Sequence, residues 1–255
     1  VILKNTSKGV STDFDGNFTL NDVPLNSVIV VSYLGFVTQE ITISNSQSLK
    51  IALLDDAESL NEVVVIGGHL DSWDLGTGAV DDGAGVAIAM ATGAFIKNNA
   101  KTIPRRTIRV ILWEAEELGL IGARAYAKAR QEDGTIANHV IGSESDFGAG
   151  PVYGLQSSKN VSQNALHVVD TMAALMGKLG VSRRSGDTSG GPDMIPLAAL
   201  GVPALNLMQD GSDYFDLHHT PDDTFDKVNP EHMRQNLAVW TVFTYIAAEW
   251  PGSFK

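Results

Sequence analysis

The sequence contains no cysteine, and this absence limits both its covalent cross-links and its metal chemistry. Without thiols the chain can form neither disulfide bonds nor thiolate-bound zinc sites, so a metal ion would bind to His, Asp or Glu side chains. Basic residues are also scarce, with 18 Lys and Arg against 30 Asp and Glu and a formal net charge of -12 at pH 7. We therefore expect no nucleic-acid partner, because a phosphate backbone repels an acidic surface.

Long hydrophobic runs are missing as well. No apolar stretch approaches the roughly 20 residues that a transmembrane helix requires, so we expect no transmembrane segment. The chain opens on Val1 without a signal peptide, which suggests a piece of a longer protein. What the sequence does contain is enough apolar material for a folded core, with 44% hydrophobic residues in a chain of 255.

The pattern of predicted secondary structure changes near residue 60. Before this point, short β-rich runs such as SVIVVSYLGFVTQEITI are separated by turn residues, and Asp15 and Gly16 are placed for a hairpin turn. We predict a small antiparallel β-sandwich over residues 1–60. After this point, strand-like runs alternate with helical ones, which predicts an α/β domain over residues 61–255 with a mixed, mostly parallel sheet and helices on both faces.

The individual elements of the α/β domain can be placed from their periodicity. Strands are predicted at 63–66 and in the runs TIRVILWE, HVIGSES and PALNLM. Helices are predicted at about 83–97, 119–130, 162–179 and 230–250. Ligands of such sheets bind at the carboxyl ends of the strands, so polar residues at those ends are the candidates for function.

Two of these strand ends carry groups suited to metal binding. His69 and Asp71 follow the first strand, and a metal-binding histidine usually donates its second ring nitrogen to a carboxylate such as Asp71. Glu116 and Glu117 follow the strand TIRVILWE, where two adjacent carboxylates repel each other unless a cation lies between them. Taken alone, His69 and Asp71 are also typical of a structural pair at a strand end, and the two glutamates are typical of a solvated turn or a helix N-terminus.

Further candidates extend this set. Asp81 lies in the segment VDDG, Asp146 ends the run HVIGSESD, and His218 and His219 lie in the loop before the last helix. A two-zinc hydrolase requires two histidines, a carboxylate that bridges the metals, one further carboxylate per metal and a free carboxylate as base. The sequence contains all of these residue types, and they follow one another at separate strand ends and loops of the predicted α/β domain.

Four longer motifs make the chain recognisable: GGHLDSWDLGTGAVDDGAG, RTIRVILWEAEELGLIGARAY, ESDFGAG and LHHTPDDT. Over about residues 62–250 the chain resembles the co-catalytic zinc exopeptidases of the aminopeptidase and glutamate carboxypeptidase type, in particular their carboxypeptidase Q-like branch. The resemblance implies two zinc ions per chain, with the ligands His69 and Asp146 on one, Glu117 and His219 on the other, and Asp81 between them. It also implies that Glu116 is the general base, that His218 helps to polarise the scissile carbonyl, and that Asp71 supports His69.

The N-terminal residues have a different resemblance. Residues 1–66, ending in SLNEVVVIG, resemble the carboxypeptidase-regulatory-like extension of TonB-dependent outer-membrane receptors. The two resemblances meet across the string NEVVVIGG, which implies a catalytic domain that lacks its usual N-terminal elements and its lid-like insertion. They also imply a periplasmic, outer-membrane-associated or secreted location.

The function predicted from the sequence is a metallopeptidase, a zinc-dependent exopeptidase that hydrolyses dipeptides or short peptides. Two alternatives stay open at this point. One is a single-zinc enzyme similar to glutaminyl cyclases, and the other is a non-catalytic surface or receptor-plug module. The sequence leaves the preference for the amino or the carboxyl end of the substrate undecided, along with the oligomeric state.

Overall fold

The computed structural model describes residues 1–6, 8–13, 16–32, 36–44, 48–53 and 61–255. The chain divides into two compact units, Val1–Leu60 and Asn61–Lys255. The predicted hairpin turn at Asp15 and Gly16 lies partly outside the described residues, because Asp15 is not among them.

The N-terminal unit contains a small antiparallel sheet. Its strands β1 (Ile2–Leu3), β2 (Val28–Val31) and β3 (Gln39–Thr42) lie in the order β1-β2-β3. Alternate residues of β2 turn inward, so that Ile29 and Val31 form a small core with Leu3. The predicted antiparallel β unit is confirmed.

The second unit is organised around a parallel sheet. The central strand β4 (Val63–His69) pairs in parallel with β5 (Thr107–Trp113) on one side and with β6 (His139–Glu144) on the other. All seven residues of β4 are buried, as expected for a parallel strand that is covered on both faces. The predicted mixed, mostly parallel α/β fold is confirmed.

Three further strands continue this sheet. β7 (Val152–Ser157) pairs in parallel with β8 (Ser182–Arg183) and antiparallel with β9 (Leu205–Gln209). A bridge between Gly142 and Ala204 connects the two sets of three strands. The sequence pattern does not predict β7, because its glycine, glutamine and serine residues have weak β-propensity.

Helices cover both faces of the sheet, and their bounds lie close to the predicted ones. The long helices are α1 (Ala84–Asn99), α2 (Ile121–Glu132), α3 (Gln163–Met176) and α6 (Pro230–Glu249), and the short ones are α4 (Ile195–Ala199) and α5 (Tyr214–Leu217). Val64 and Ile66 of β4 belong to one core cluster with residues of α1, α3 and α6. Val63 and Val65, which point to the opposite face, belong to another with residues of α2 and α4.

One helical segment among the described residues, Ala79–Asn99, is long and apolar enough to cross a membrane by length and composition. Half of its most apolar window is buried within the unit, and α1 contacts β4 and α6. The high mean hydropathy of this segment comes from alanine together with valine, isoleucine, methionine and phenylalanine residues. We therefore assign α1 as a core helix of the sheet.

Candidate active site

The carboxyl ends of the three parallel strands bring the candidate residues together. In the register of the sheet, His69 of β4 lies opposite Trp113 of β5, and Gly67 lies opposite Glu144 of β6. The loops that carry Glu116, Glu117 and Asp146 therefore start beside His69. The start of α1 packs closely on this edge, because a Cβ atom on Gly68 would lie 2.7 Å from the backbone nitrogen of Val86.

Asp81 lies at the centre of the candidate site. It is buried in the irregular turn Ala79–Gly83 that precedes α1. Its Oδ1 atom is 3.2 Å from His69 Nε2, and its Oδ2 atom is 3.4 Å from His219 Nε2. The two oxygens of one carboxylate thus face two different histidines.

A second carboxylate stands beside each of these histidines. Asp146 Oδ1 lies 3.4 Å from His69 Nε2, and Glu117 Oε2 lies 2.9 Å from His219 Nε2. We call His69, Asp146 and Asp81 Oδ1 the inner half-site, and His219, Glu117 and Asp81 Oδ2 the outer half-site. The structure therefore brings together all five predicted ligand residues in two groups that share Asp81.

The electrostatics of the inner half-site favour a cation. Burial by itself lowers the pKa of His69, but hydrogen bonds to Asp146 and Asp81 outweigh it and raise that pKa to about 12. Burial, followed by the negative charge of Asp146, raises the pKa of the fully buried Asp82 carboxyl well above its usual range. Imidazole nitrogens and carboxylate oxygens without thiolates form a suitable donor set for zinc. The residues present therefore fit divalent zinc.

Glu116 lies beside both half-sites. One of its carboxylate oxygens is within 4.8 Å of donor atoms of His69 and Glu117. Burial and the nearby charge of Asp146 raise the pKa of Glu116 to about 7. Among the described residues, none donates a hydrogen bond to its carboxylate, so this group is available for proton transfer.

His218 stacks on its neighbour His219, with ring centroids 3.7 Å apart and an angle of 24° between the rings. Tyr214 packs against its ring at a centroid distance of 4.9 Å. A donor atom of His218 also lies within 4.8 Å of Asp81. The geometry therefore places His218 at the same carboxylate as the predicted ligands, where it can contact either a metal ion or a substrate.

The contacts of Asp71 differ from the sequence-based expectation. Its backbone carbonyl, and not its carboxylate, is the partner of His69, at 2.8 Å from Nδ1. The nearer carboxylate oxygen is 3.8 Å from that nitrogen. The Asp71 carboxylate instead accepts hydrogen bonds from the backbone N–H groups of Glu116 at 3.0 Å and Glu117 at 3.1 Å. Asp71 thus positions both glutamates as well as the histidine.

Two further acidic residues, which were not among the candidates predicted from the sequence, accept hydrogen bonds from the backbone of the site. Asp82 accepts hydrogen bonds from the backbone N–H groups of His69 at 3.0 Å and Gly85 at 3.1 Å. Asp223 accepts hydrogen bonds from the N–H groups of Val80 at 2.6 Å and Asp81 at 3.1 Å. Both lie inside the quoted motifs VDDG and HHTPDDT, which is the signal that could have identified them.

A cavity of about 450 Å³ adjoins the site next to Asp146. Its wall includes uncharged side chains from several elements, namely Phe147, Tyr153, Ile195, Asn206 and Met208. Asn206 and Met208 alternate with buried leucines along β9, so the pleat of the strand turns them toward this space. The cavity is large enough for an amino-acid side chain.

Comparison with known proteins identifies the family. Residues 51–244, more than half of the chain, match the profile described as peptidase family M28. The chain belongs to peptidase family M28. Carboxypeptidase Q from Pongo abelii is 35% identical to this M28 chain over 199 residues, which cover 78% of the chain and 41% of the relative. The M28 chain thus spans about two fifths of the length of the curated relatives it matches.

A solved structure supports the same assignment. The crystal structure of a peptidase M28 precursor from Shewanella amazonensis SB2B has a TM-score of 0.73 and 48% identity, and the match covers 78% of the M28 chain and 44% of that chain. These matches confirm the resemblance that the four motifs predict.

The N-terminal residues match a second family. Residues 1–65 match the profile described as a CarboxypepD_reg-like domain. TonB-dependent receptor P39 from Formosa agariphila is 45% identical over 67 residues, which cover 26% of the M28 chain and 6% of the receptor. The predicted resemblance of the N-terminal residues is therefore confirmed as well.

Proposed function

We propose that the M28 unit is a zinc-dependent exopeptidase that uses two zinc ions to hydrolyse dipeptides or short peptides. The observation that carries this proposal is the orientation of Asp81, whose two oxygens face His69 and His219 separately. A carboxylate in this position can bridge two metal ions, with Asp146 completing the inner half-site and Glu117 the outer one. Family membership supports the same assignment.

The two adjacent glutamates have different roles in this proposal. Zinc ions held by the two half-sites would supply Lewis-acid chemistry, because they would polarise a peptide carbonyl and lower the pKa of a bound water. Glu116 accepts the proton of the attacking water and passes it to the leaving amine, because its carboxylate lies beside both half-sites and none of the described residues donates a hydrogen bond to it. Glu117 is not available for this work, because its carboxylate is hydrogen-bonded to His219 and Trp73.

The surroundings of the site support a peptide substrate. The cavity beside Asp146 has a largely uncharged wall that suits an uncharged side chain. The names of the curated relatives support cleavage at a chain end. The resemblance of the N-terminal residues to a TonB-dependent receptor supports a location in the periplasm, at the outer membrane or outside the cell.

The test combines metal analysis with a substrate panel. We expect the purified chain to hold close to two zinc ions, to hydrolyse free dipeptides, and to lose this activity on chelation and regain it with zinc. Dipeptides blocked at either end, measured in the same assay, would show which terminus the enzyme requires.

Other outcomes of this test have distinct meanings. Full hydrolysis after exhaustive chelation would contradict the proposed mechanism. One zinc per chain together with cyclisation of N-terminal glutamine would support a glutaminyl-cyclase-like enzyme instead. A chain that binds no zinc and cleaves no peptide would support the non-catalytic module.

A further inference from the structure

The two half-sites differ in how far the fold shields their side chains. The side chains of the inner half-site are almost fully buried, with 1% of His69 and 7% of Asp146 exposed. The outer half-site is more open, with 11% of Glu117 and 37% of His219 exposed. The surrounding fold therefore restricts the inner ligands on most sides, whereas the more exposed outer ligands depend more on individual side-chain contacts.

Trp73 supplies such contacts to both outer ligands. Its indole Nε1–H donates a hydrogen bond of 2.8 Å to Glu117 Oε2. Its ring centroid lies 5.2 Å from that of His219, with 49° between the ring planes. Trp73 itself is 47% exposed, so its position is not explained by burial in the core.

The hydrogen bond acts on a particular oxygen of Glu117. Oε2 is the atom that also lies 2.9 Å from His219 Nε2, whereas Oε1 lies 3.2 Å from it. A donor on Oε2 fixes the rotation of the carboxylate and leaves Oε1 without the indole bond. Because Asp71 already holds the backbone N–H of Glu117, the indole removes the remaining freedom of this side chain.

We infer that Trp73 is a positioning residue that selectively strengthens metal binding at the outer half-site. This inference rests on the proposed two-zinc function. His69, Asp71 and Trp73 alternate along one short segment that starts at the last residue of β4, and each has a different role there. His69 is a ligand, Asp71 holds the backbone of the glutamates, and Trp73 holds the outer ligands by their side chains.

Two variants separate the contributions of the indole. Trp73→Phe keeps an aromatic ring near His219 but loses the N–H group, whereas Trp73→Ala loses both. We expect Trp73→Phe to weaken one of two zinc-binding steps about 10- to 100-fold, as the loss of a supporting hydrogen bond usually does. Trp73→Ala should weaken the same step further, and the other step should stay unchanged in both variants.

The measurement is a zinc titration of the metal-free full chain in competition with a chromophoric chelator, which resolves the two dissociation constants. His219→Ala identifies the outer step, because it removes an outer ligand. Leu118→Ala is the matched control, since Leu118 is 75% exposed and adjoins Glu117 in the sequence. The unchanged inner step is an internal measure of correct folding for each variant.

The outcomes separate the inference from the function on which it rests. If the unaltered chain binds two zinc ions and Trp73→Phe binds both with unchanged constants, the role of Trp73 is wrong and the proposed function stands. The same holds if Trp73→Phe weakens the step that His219→Ala leaves intact. If the unaltered chain binds fewer than two zinc ions, the outer half-site does not act as a metal site and both proposals are wrong.

Discussion

At the scale of single residues, neighbours in the sequence have different environments in the fold. Glu116 and Glu117 share one anchor, the Asp71 carboxylate, which accepts the backbone N–H of each. Their side chains then differ, because Glu117 is bonded to His219 and Trp73 whereas Glu116 has no such partner among the described residues. Ala115, just before them, has a positive φ of 57°, a conformation that turns the chain sharply after β5.

This difference predicts opposite effects for two similar substitutions. In the proposed mechanism Glu116 is the base and not a ligand, so we expect Glu116→Gln to leave the zinc content unchanged and to lower kcat by about 10²-fold or more. Glu117→Gln should lose zinc, because an amide is a weaker ligand than a carboxylate. Metal analysis and dipeptide turnover on the same samples check both expectations.

Glu114→Gln is the control for these substitutions, since Glu114 is exposed on the same loop and belongs to neither half-site. It should resemble the unaltered chain in both measurements. If Glu116→Gln lost zinc while Glu117→Gln kept it, the two roles would have to be exchanged.

At the scale of elements, the junction of α1 with the strand ends brings the segments that carry His69 and Asp146 close together. A Cβ atom on Gly85, near the start of α1, would lie 1.9 Å from the carbonyl oxygen of Ser145 and 2.3 Å from Asp82 Oδ1. Ser145 precedes Asp146, and Asp82 bonds to the backbone of His69. The helix can approach the sheet this closely only because position 85 is glycine.

We therefore expect Gly85→Ala to lower the free energy of unfolding by about 1–3 kcal/mol, the usual cost of overpacking. It should also weaken zinc binding, because the displaced segments carry His69 and Asp146. Denaturant unfolding and zinc titration of the variant measure both effects.

Gly177→Ala is the matched control. A Cβ atom at Gly177 would have no heavy atom within 4 Å, and the backbone is helical there with φ of -56°. We expect this change to be neutral or to stabilise the chain by up to about 1 kcal/mol. Equal stability of the two variants would show that the junction tolerates a methyl group.

At the scale of the whole molecule, the excess of acidic residues and the concentration of carboxylates at one edge of the sheet act together. The chain carries a formal net charge of -12. Three of its carboxylates, those of Asp81, Asp82 and Asp146, lie around the buried side chain of His69. Carboxylates held this close repel one another, and a bound cation relieves the repulsion. Metal binding should therefore contribute to the stability of the folded chain.

We expect added zinc to raise the melting temperature and chelation to lower it. A ligand at about 1,000 times its dissociation constant stabilises a protein by about 4 kcal/mol when it binds only the folded state. Thermal denaturation with zinc, with a chelator and with magnesium at equal ionic strength measures the effect. Magnesium should have little influence, because it binds imidazole poorly. A melting temperature that is the same in all three conditions would contradict this prediction.

The sequence by itself determined the α/β class, the change from β-rich runs to alternating strands and helices near residue 60, and the positions of the candidate ligands. Alternating strand and helix patterns report local burial, and polar residues that interrupt an apolar strand mark its end. His69 and the two glutamates were found in this way. These features depend only on the local sequence, so they can be predicted without knowledge of the tertiary structure.

Only the tertiary structure decided which groups meet. The bond from Asp223 to the turn of Asp81 spans 142 residues, and the bond from Trp73 to Glu117 spans 44. The hydrogen bonds that the Asp71 carboxylate accepts could not be predicted for the same reason, since their donors lie 45 and 46 residues away in the sequence. Sequence patterns describe the periodicity of a single element, whereas these contacts depend on how neighbouring strands are paired and how their loops pack against each other.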